Sequence, residues 1–369
     1  MRAGEKRFRT IWPGSDAASI TVIDQTRLPH EFKHVTISSA QEAARAIKDM
    51  TVRGAPLIGI TAAYGAALAM RADPSDASLA AAHSLLLAAR PTAVNLQWAL
   101  DAMQRRLLNT PPAGRAAEGF AYAGALAEED VHLCKAIGRH GLDIIRAAAR
   151  KKKGGEPVNI LTHCNAGWLA TVEWGTATAP IYLAHEEGID LHVWVGETRP
   201  RNQGASLTAW ELGYRGVPHT VVADNTGGHL MQNGMVDLVI VGTDRATAHG
   251  DVCNKIGTYL KALAAHDNGV PFYVAAPSPS IDFSLQDGAA GVPIEQRPGN
   301  EVTHVTGRTA SGRIETVQIT PPGSKAVNYA FDVTPARLVS GLITERGVIA
   351  ANREALAAAF PERVVAPAP

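Results

Sequence analysis

The sequence predicts an α/β protein, with an N-terminal helical domain followed by a Rossmann-like domain built on a mostly parallel sheet. Three observations carry that reading. At 369 residues the chain has room for two domains of about 150 residues each. Up to residue 150 it is alanine-rich, with apolar residues at helical spacing. After the break Lys151-Lys152-Lys153-Gly154-Gly155-Glu156-Pro157, short β-branched runs alternate with stretches long enough for a crossover helix, the pattern of βαβ units. The expected boundaries are 1–150 for the helical domain and 155–360 for the α/β domain, with 361–369 as a flexible tail.

Taken in order, Val35-Thr36-Ile37 reads as a strand. Ser39 with Glu42 three positions on forms a capping box ahead of apolar spacing through Ala43, Ile47 and Met50. Pro56 sits at a first helical position, and PLIGITAAYGAALAMRA continues as a buried helix. Further helices are predicted around 76–89, 95–107 and 116–150, with 109–115 as a loop. Strands are predicted at 158–163, 191–196, 218–223, 237–242 and 271–276, with crossover helices within 167–187 and 203–214. No internal repeat is visible.

Composition narrows the function classes. Lys and Arg total 35 and so do Asp and Glu, and this balance lacks the basic stripe of a nucleic-acid binder. Lys151–Lys153 reads as the solvated end of a helix. Three widely spaced cysteines, Cys134, Cys164 and Cys253, make no disulfide framework and suit a reducing compartment, so a cytoplasmic location is expected. The basic N-terminus MRAGEKRFRTIWPG leads into no apolar run, so no secretory signal is expected. Nor does any stretch approach the 18 or so continuous apolar residues of a membrane helix.

Some motifs fail on context. His30-Glu31-Phe32-Lys33-His34 matches the H-E-x-x-H zinc-protease string, but Pro29 precedes it and a predicted strand follows, so the two histidines lack a helix face to share. No Walker string and no G-x-G-x-x-G follows a predicted strand. A metal site from His163, Cys164, His249 and Cys253 is disfavoured because adjacent residues on a strand point apart. No metal is expected.

The chemistry-bearing residues stand at strand ends, where ligands bind in open α/β sheets. The first run ends in Thr162-His163-Cys164-Asn165-Ala166-Gly167, the second in Glu197-Thr198-Arg199-Pro200-Arg201-Asn202-Gln203-Gly204, and the fourth in Thr243-Asp244-Arg245. Each residue also has a structural explanation. Cys164 can be a small buried hydrophobe, although a helix start after it would lower the thiol pKa. Asp244 can pair with Arg199, Arg201 or Arg245. Lys255 can be a solvated helix residue, and Arg53-Gly54 a linker. Occurring together at successive strand ends, these residues favour a site.

Phosphate is the ligand such elements suit. Arg53-Gly54-Ala55 precedes Pro56 at a helix start, where free N–H groups and the helix dipole attract anions. Arg90-Pro91-Thr92 joins two helices, and Asn254-Lys255 is expected to open a helical segment after the Gly250-Asp251 turn. Arg recognises phosphate with a planar fork and Lys with a compact charge.

Long strings then point to a family: TVRGAPLIGI (51–60), ARPTAVNL (89–96), LTHCNAG (161–167), GETRPRNQGASLTAWEL (196–212), ADNTGGHLM (223–231), GTDRATAHGDVCNKIGTY (242–259), PFYVAAP (271–277) and AFDVTPARLVSGLITERGV (330–348). Over nearly the whole chain and in order, the sequence resembles the methylthioribose-1-phosphate isomerases, of the family that includes the regulatory subunits of eukaryotic translation initiation factor two B. The resemblance implies a homodimer without metal or organic cofactor, acting on a phosphosugar in methionine salvage. It implies Cys164 and Asp244 as the catalytic pair, and Arg53, Gly54, Ala55, Arg90, Gln203, Asn254 and Lys255 as phosphosugar contacts. Departures from the usual pattern fall at Thr243, His249 and Cys253, in 294–303, and in Val327-Asn328-Tyr329, and they bear on substrate breadth. Related pentose 1-phosphates, such as 5-deoxyribose 1-phosphate or ribose 1,5-bisphosphate, are competing substrates. A non-catalytic subunit that senses a sugar phosphate or nucleotide is the competing function.

Overall fold

Short strands open the chain. The computed structural model describes residues 9–363 and the backbone of two small strands, β1 (Arg2–Ala3) and β2 (Lys6–Arg7). The side chains of residues 1–8, and residues 364–369 of the tail expected over 361–369, lie outside the described residues. Pro361–Arg363 correct that expectation: they form a 3-10 turn, anchored by Arg363 donating to the Ser278 and Ile281 carbonyls at 2.8 and 3.1 Å. Strands β3 (Ile11–Pro13), β4 (Ile20–Ile23) and β5 (His34–Ile37) pair antiparallel in that order, burying Ile20, Val22 and Ile23. Only β5 carried a signal in the sequence. It also disposes of the H-E-x-x-H string, since His34 begins a strand while His30 lies in the loop before it.

Helix α1 (Ala40–Lys48) starts as expected, with Ser39 Oγ accepting from the Glu42 N–H at 3.2 Å. The return half of the capping box is displaced by one residue, because the Glu42 carboxylate takes Ser38 N–H and Oγ at 2.7 and 2.9 Å. Helix α2 (Ala55–Ala72) follows with Pro56 in its first turn. By length and composition α2 is apolar enough to cross a membrane, which corrects the expectation that no stretch approaches this. It is 78% buried, packed against α1 and against α3 (Asp76–Leu87), α4 (Val94–Leu108) and α5 (Arg115–Ala149), so it is apolar on every side as a central core helix is.

Helix α5 contributes to two cores. Ala123, Leu126 and Ala127 pack with Leu57, Tyr64 and Leu100. Further along the same helix, Ile137, Leu142 and Ile145 pack with Ile160, Val193 and Leu238 of the main sheet.

That sheet is built from β6 (Val158–Thr162), β7 (Leu191–Gly196), β8 (His219–Val222) and β9 (Leu238–Val241). The crossovers contain α6 (Ala179–Glu186), α7 (Ala209–Tyr214), preceded by a π-helical turn at Gly204–Thr208, and α8 (Thr226–Gln232). Beyond β9 the chain leaves the sheet for β10 (Arg245–Thr247) and β11 (Val252–Lys255), and α9 (Thr258–Asp267) leads back to β12 (Phe272–Ala275). Then come β13 (Ile281–Asp282), the hairpin β14 (His304–Arg308) and β15 (Ile314–Gln318), β16 (Phe331–Thr334), β17 (Gly341–Thr344) and β18 (Gly347–Ile349).

The main sheet runs β18-β17-β12-β9-β6-β7-β8, parallel throughout except for the antiparallel edge strand β18. The five predicted runs are its five consecutive strands from β12 to β8. A second sheet, β13-β10-β11-β16, continues from the end of β9. It corrects one expectation: Asn254 and Lys255 end a strand, and the helix opens three residues after Lys255. The chain builds outward from β6 through β7 to β8, then returns to the other side of β6 with β9. The switch point therefore lies between β6 and β9, where an open α/β sheet leaves a crevice at its carboxyl edge.

Candidate active site

The two strands flanking that crevice lead into Cys164 and Asp244, two and three residues beyond their last residues. Cys164 is buried, at 7% exposure, and takes a left-handed backbone (φ +61°). Its N–H donates to Thr198 Oγ1 at 2.8 Å, and its carbonyl accepts from Thr208 Oγ1 at 2.7 Å. No helix follows directly: a turn and a short 3-10 segment (Trp168–Ala170) intervene, and α6 starts only at Ala179. The expected helix N-terminus behind the thiol is thus absent. Burial pushes the thiol pKa up, with Arg53 and Lys255 pulling against it.

Asp244 follows β9, its N–H bonded to the Cys253 carbonyl at 3.1 Å. Enclosure by protein pushes its carboxyl up, while Lys255, Arg90 and Arg53 oppose the shift. The structural pairings fail. Arg201 is bound to Glu301 at 2.8 Å and Arg245 lies 3.6 Å from Asp282, while Arg199 donates to the carbonyls of Pro200 and Val302. Among the described residues Asp244 makes no ion pair.

Three cations surround this pair. Arg53 precedes α2 and forks onto Asn165, with Nη1 on Oδ1 at 2.5 Å and Nη2 on the backbone oxygen at 2.8 Å. Gly54 must be glycine, with φ +93° and an ideal Cβ that would lie 2.5 Å from Ala170. Arg90 donates from Nη2 to Glu295 at 2.9 Å, and its buried Nε has no hydrogen-bond partner. Lys255, 6% exposed, lies with Nζ 4.7 Å from the centre of the Phe331 ring; it is no solvated helix residue. Burial lowers its pKa, and the Cys164 and Asp244 charges oppose that.

Gly54, Ala55, Arg90 and Asp244 line one small cavity of about 30 Å³ together with Cys253 and Phe331. Arg53 and Gln203 line a neighbouring cleft of about 560 Å³, which continues under the β14–β15 hairpin past Val305 and Ile314. Gln203 is buried, and its Oε1 has no hydrogen-bond partner. Asn254 is buried too, with its side-chain amide committed to Thr258 Oγ1 at 3.0 Å. Six of the nine predicted residues thus line these two cavities, while Cys164, Asn254 and Lys255 are buried and line neither.

Sequence reasoning passed over four supporting residues. Glu295 is the counter-ion of Arg90. Thr198 and Thr208 grip Cys164. Glu211 is fully buried, accepts from Leu169 N–H at 3.1 Å, and is pushed up to about 7 by burial. The one available signal lay at Gly167, where an ideal Cβ would sit 1.3 Å from Glu211.

A thiol and a raised carboxyl among three cations, at the switch point of a parallel sheet, define a site for an anionic small molecule on an α/β scaffold. The chain belongs to the initiation factor 2 subunit family, whose pattern matches residues 51–351. Within that family it is 67% identical to the methylthioribose-1-phosphate isomerase of Methylocella silvestris, over 99% of this chain and 100% of the relative. It is 62% identical to the methylthioribose-1-phosphate isomerase of Rhizobium meliloti, over 98% of this chain and 100% of the relative. Among solved structures it resembles 5-methylthioribose 1-phosphate isomerase from Pyrococcus horikoshii, with TM-score 0.82 and 38% identity over 97% of each chain. It also resembles translation initiation factor eIF-2B, subunit delta, from A. fulgidus, with TM-score 0.78 and 37% identity, covering 96% of this chain and 100% of the other.

Proposed function

We propose that the protein is an aldose–ketose isomerase that converts 5-methylthioribose 1-phosphate to 5-methylthioribulose 1-phosphate in methionine salvage. The observation that carries this reading is the meeting of Cys164 and Asp244 with Arg53, Arg90 and Lys255 at the switch point. The names of the high-identity relatives support it. The site residues are Cys164 and Asp244 for chemistry, and Arg53, Gly54, Ala55, Arg90, Gln203, Asn254 and Lys255 for the phosphosugar. The family resemblance supports a homodimer, and the balanced charge and three unpaired cysteines suit the cytoplasm. We retain the division into a helical domain (1–150) and an α/β domain (155–360), with α5 packing into both.

The substrate explains the residue types. With phosphate on the anomeric carbon the sugar cannot open to a free aldehyde, so the bond from C1 to the ring oxygen must break with phosphate in place. Asp244, whose carboxyl burial shifts toward the protonated form, gives its proton to the ring oxygen. The C2 hydrogen then moves to C1 as a hydride, and the C2 hydroxyl gives up its proton to restore Asp244 and leave the ketone. In the alternative, a Cys164 thiolate removes C2–H as a proton, the thiol exchanges with solvent and protonates C1 of the resulting enol, and the C2 hydroxyl gives its proton to Asp244. The raised thiol pKa favours the hydride route, with Cys164 placed against the developing charge. Turnover in deuterated solvent separates the two, since hydride transfer retains the original hydrogen and the enolate route incorporates deuterium at C1.

The likeness to an initiation-factor subunit raises a second reading, a non-catalytic sugar-phosphate or nucleotide sensor of the same fold, against which the higher-identity isomerase relatives weigh. One assay decides between them. The purified protein is offered 5-methylthioribose 1-phosphate, 5-deoxyribose 1-phosphate and ribose 1,5-bisphosphate side by side. Ketose formation from the first establishes the isomerase. Binding without turnover of any of the three sinks it and leaves the sensor.

A further inference from the structure

Cys164 stands in a conformation its own backbone disfavours. A left-handed φ puts Cβ close to the following carbonyl and is uncommon outside glycine. Such residues persist only where their surroundings over-determine them. Here both backbone polar groups of Cys164 are held by threonine hydroxyls from one connection on the far side of β7: Thr198 takes the N–H and Thr208 gives to the carbonyl.

The role of each hydroxyl toward Cys164 is fixed. Thr198 Oγ1 accepts from the Cys164 N–H, which leaves its proton for the Gly196 carbonyl at 3.0 Å or for His163 Nδ1 at 3.4 Å. Thr208 Oγ1 donates to Cys164, so its lone pair receives the Asn165 amide at 3.2 Å. The Oδ1 of that same Asn165 takes Arg53.

Thr198 is itself left-handed (φ +68°), a costly state for a β-branched residue. The Asp224 carboxylate pins it, accepting from Thr198 N–H at 2.8 Å and from Arg199 N–H at 2.7 Å. Thr208 closes the π-helical turn Gly204–Thr208, a rare form that recurs at functional sites. Both irregularities serve to bring a hydroxyl to Cys164.

We propose that Thr198 and Thr208 are positioning residues: a pair of hydroxyls that clamps Cys164 in its left-handed conformation and so aims the thiol into the site. This rests on the reading of Cys164 as a catalytic residue. The clamp also joins Arg53 to Cys164 through Asn165 and Thr208, linking one of the proposed phosphate-binding cations to the thiol's placement by an unbroken run of hydrogen bonds.

The test compares Thr198→Val, Thr208→Val and Thr208→Ala with Thr198→Ser and Thr208→Ser, and runs Cys164→Ser in parallel. Each is assayed for kcat, KM and melting temperature on 5-methylthioribose 1-phosphate, below the melting point of the least stable variant. Valine keeps the shape and loses the hydroxyl; alanine serves where valine at 208 fails to fold. The expected result is a fall of about ten- to a hundredfold in kcat for the Val and Ala variants, the scale of a small misplacement at a reacting centre. KM should stay within about threefold, and serine should restore most of the turnover. Unchanged kcat alongside a lowered melting temperature would make the threonines purely structural and overturn the clamp. So would serine variants as slow as valine. If Cys164→Ser turns over like the wild type, the reading of Cys164 falls and the clamp falls with it. If Cys164→Ser is dead while the Val variants stay active, only the clamp falls.

Discussion

Chemistry at the residue scale separates the three cysteines although all are buried. Cys134 points its thiol toward Asp130 inside α5, at 3.9 Å, and Cys253 lines the small cavity beside Asp244. Cys164 alone follows a strand of the main sheet at the switch point, with Arg53 and Lys255 acting on its thiol. Cys164→Ser is therefore expected to fold normally and lose most turnover, while Cys134→Ser and Cys253→Ser keep most of theirs; equal losses at either control would assign the wrong sulfur. For Asp244→Asn the expected outcome is a near-normal KM with a collapse in kcat, because the amide keeps the shape but cannot give up a proton to a breaking bond. A parallel rise in KM would make Asp244 a binding residue instead. Both residues were legible because each closes a β-branched run at the edge where ligands bind. Thr208 and Glu295 were not. Each reaches the site from a different connection, across distances that no spacing in the sequence encodes.

At the scale of elements, fit explains what composition could not. Gly54→Ala should be strongly destabilising, since a left-handed residue costs about 1–2 kcal/mol and the new Cβ would also meet Ala170. Melting temperature and KM should move together, because Gly54 sets the turn that carries Arg53. Glu211 on α7 makes a different prediction. Its carboxyl is raised from the ordinary 4.5 to about 7, so between those values the native state holds a proton that the unfolded state has lost. Its stabilising contribution is complete below about pH 4.5 and is lost as pH rises through about 7, on the order of 3 kcal/mol in all. Asp130 on α5, raised to about 7 by burial, adds to the same slope. Urea unfolding at pH 5 and pH 8 should show the wild type losing stability with pH, and Glu211→Gln losing clearly less. An identical slope in the variant would show that Glu211 is ionised in the native state. Parallel strands were readable because strands buried on both faces leave continuous β-branched runs. The antiparallel β10, β11 and β16 are three or four residues long and mix polar with apolar side chains, so Asn254 and Lys255 read as a helix start when they end a strand.

In the whole molecule, the site exists because two stretches of chain far apart in sequence meet at one edge of the sheet. Arg53 and Arg90 come from either side of α2 and α3, whereas Asp244 and Lys255 follow β9. The sequence placed these residues on separate elements, and only the switch point between β6 and β9 shows why they face each other. The proposed phosphate contacts can be tested as a unit. Each charged hydrogen bond is worth roughly 1.5–3 kcal/mol, so Arg53→Ala and Lys255→Ala should each lower kcat/KM by about ten- to a hundredfold, mainly through KM. Their stability effects should differ. Arg53→Ala gives up two hydrogen bonds to Asn165 and should lower the melting temperature, whereas Lys255 rests on the Phe331 ring and its loss should lower it less. The double variant is decisive: if both cations hold one phosphate, its loss in kcat/KM should fall well short of the sum of the single losses, because neighbours sharing a partner couple. Strict additivity would place Arg53 and Lys255 on separate parts of the substrate. An unchanged KM in Arg53→Ala, with only the melting temperature lowered, would reduce Arg53 to a tie for the Asn165 loop and leave phosphate to Arg90 and Lys255.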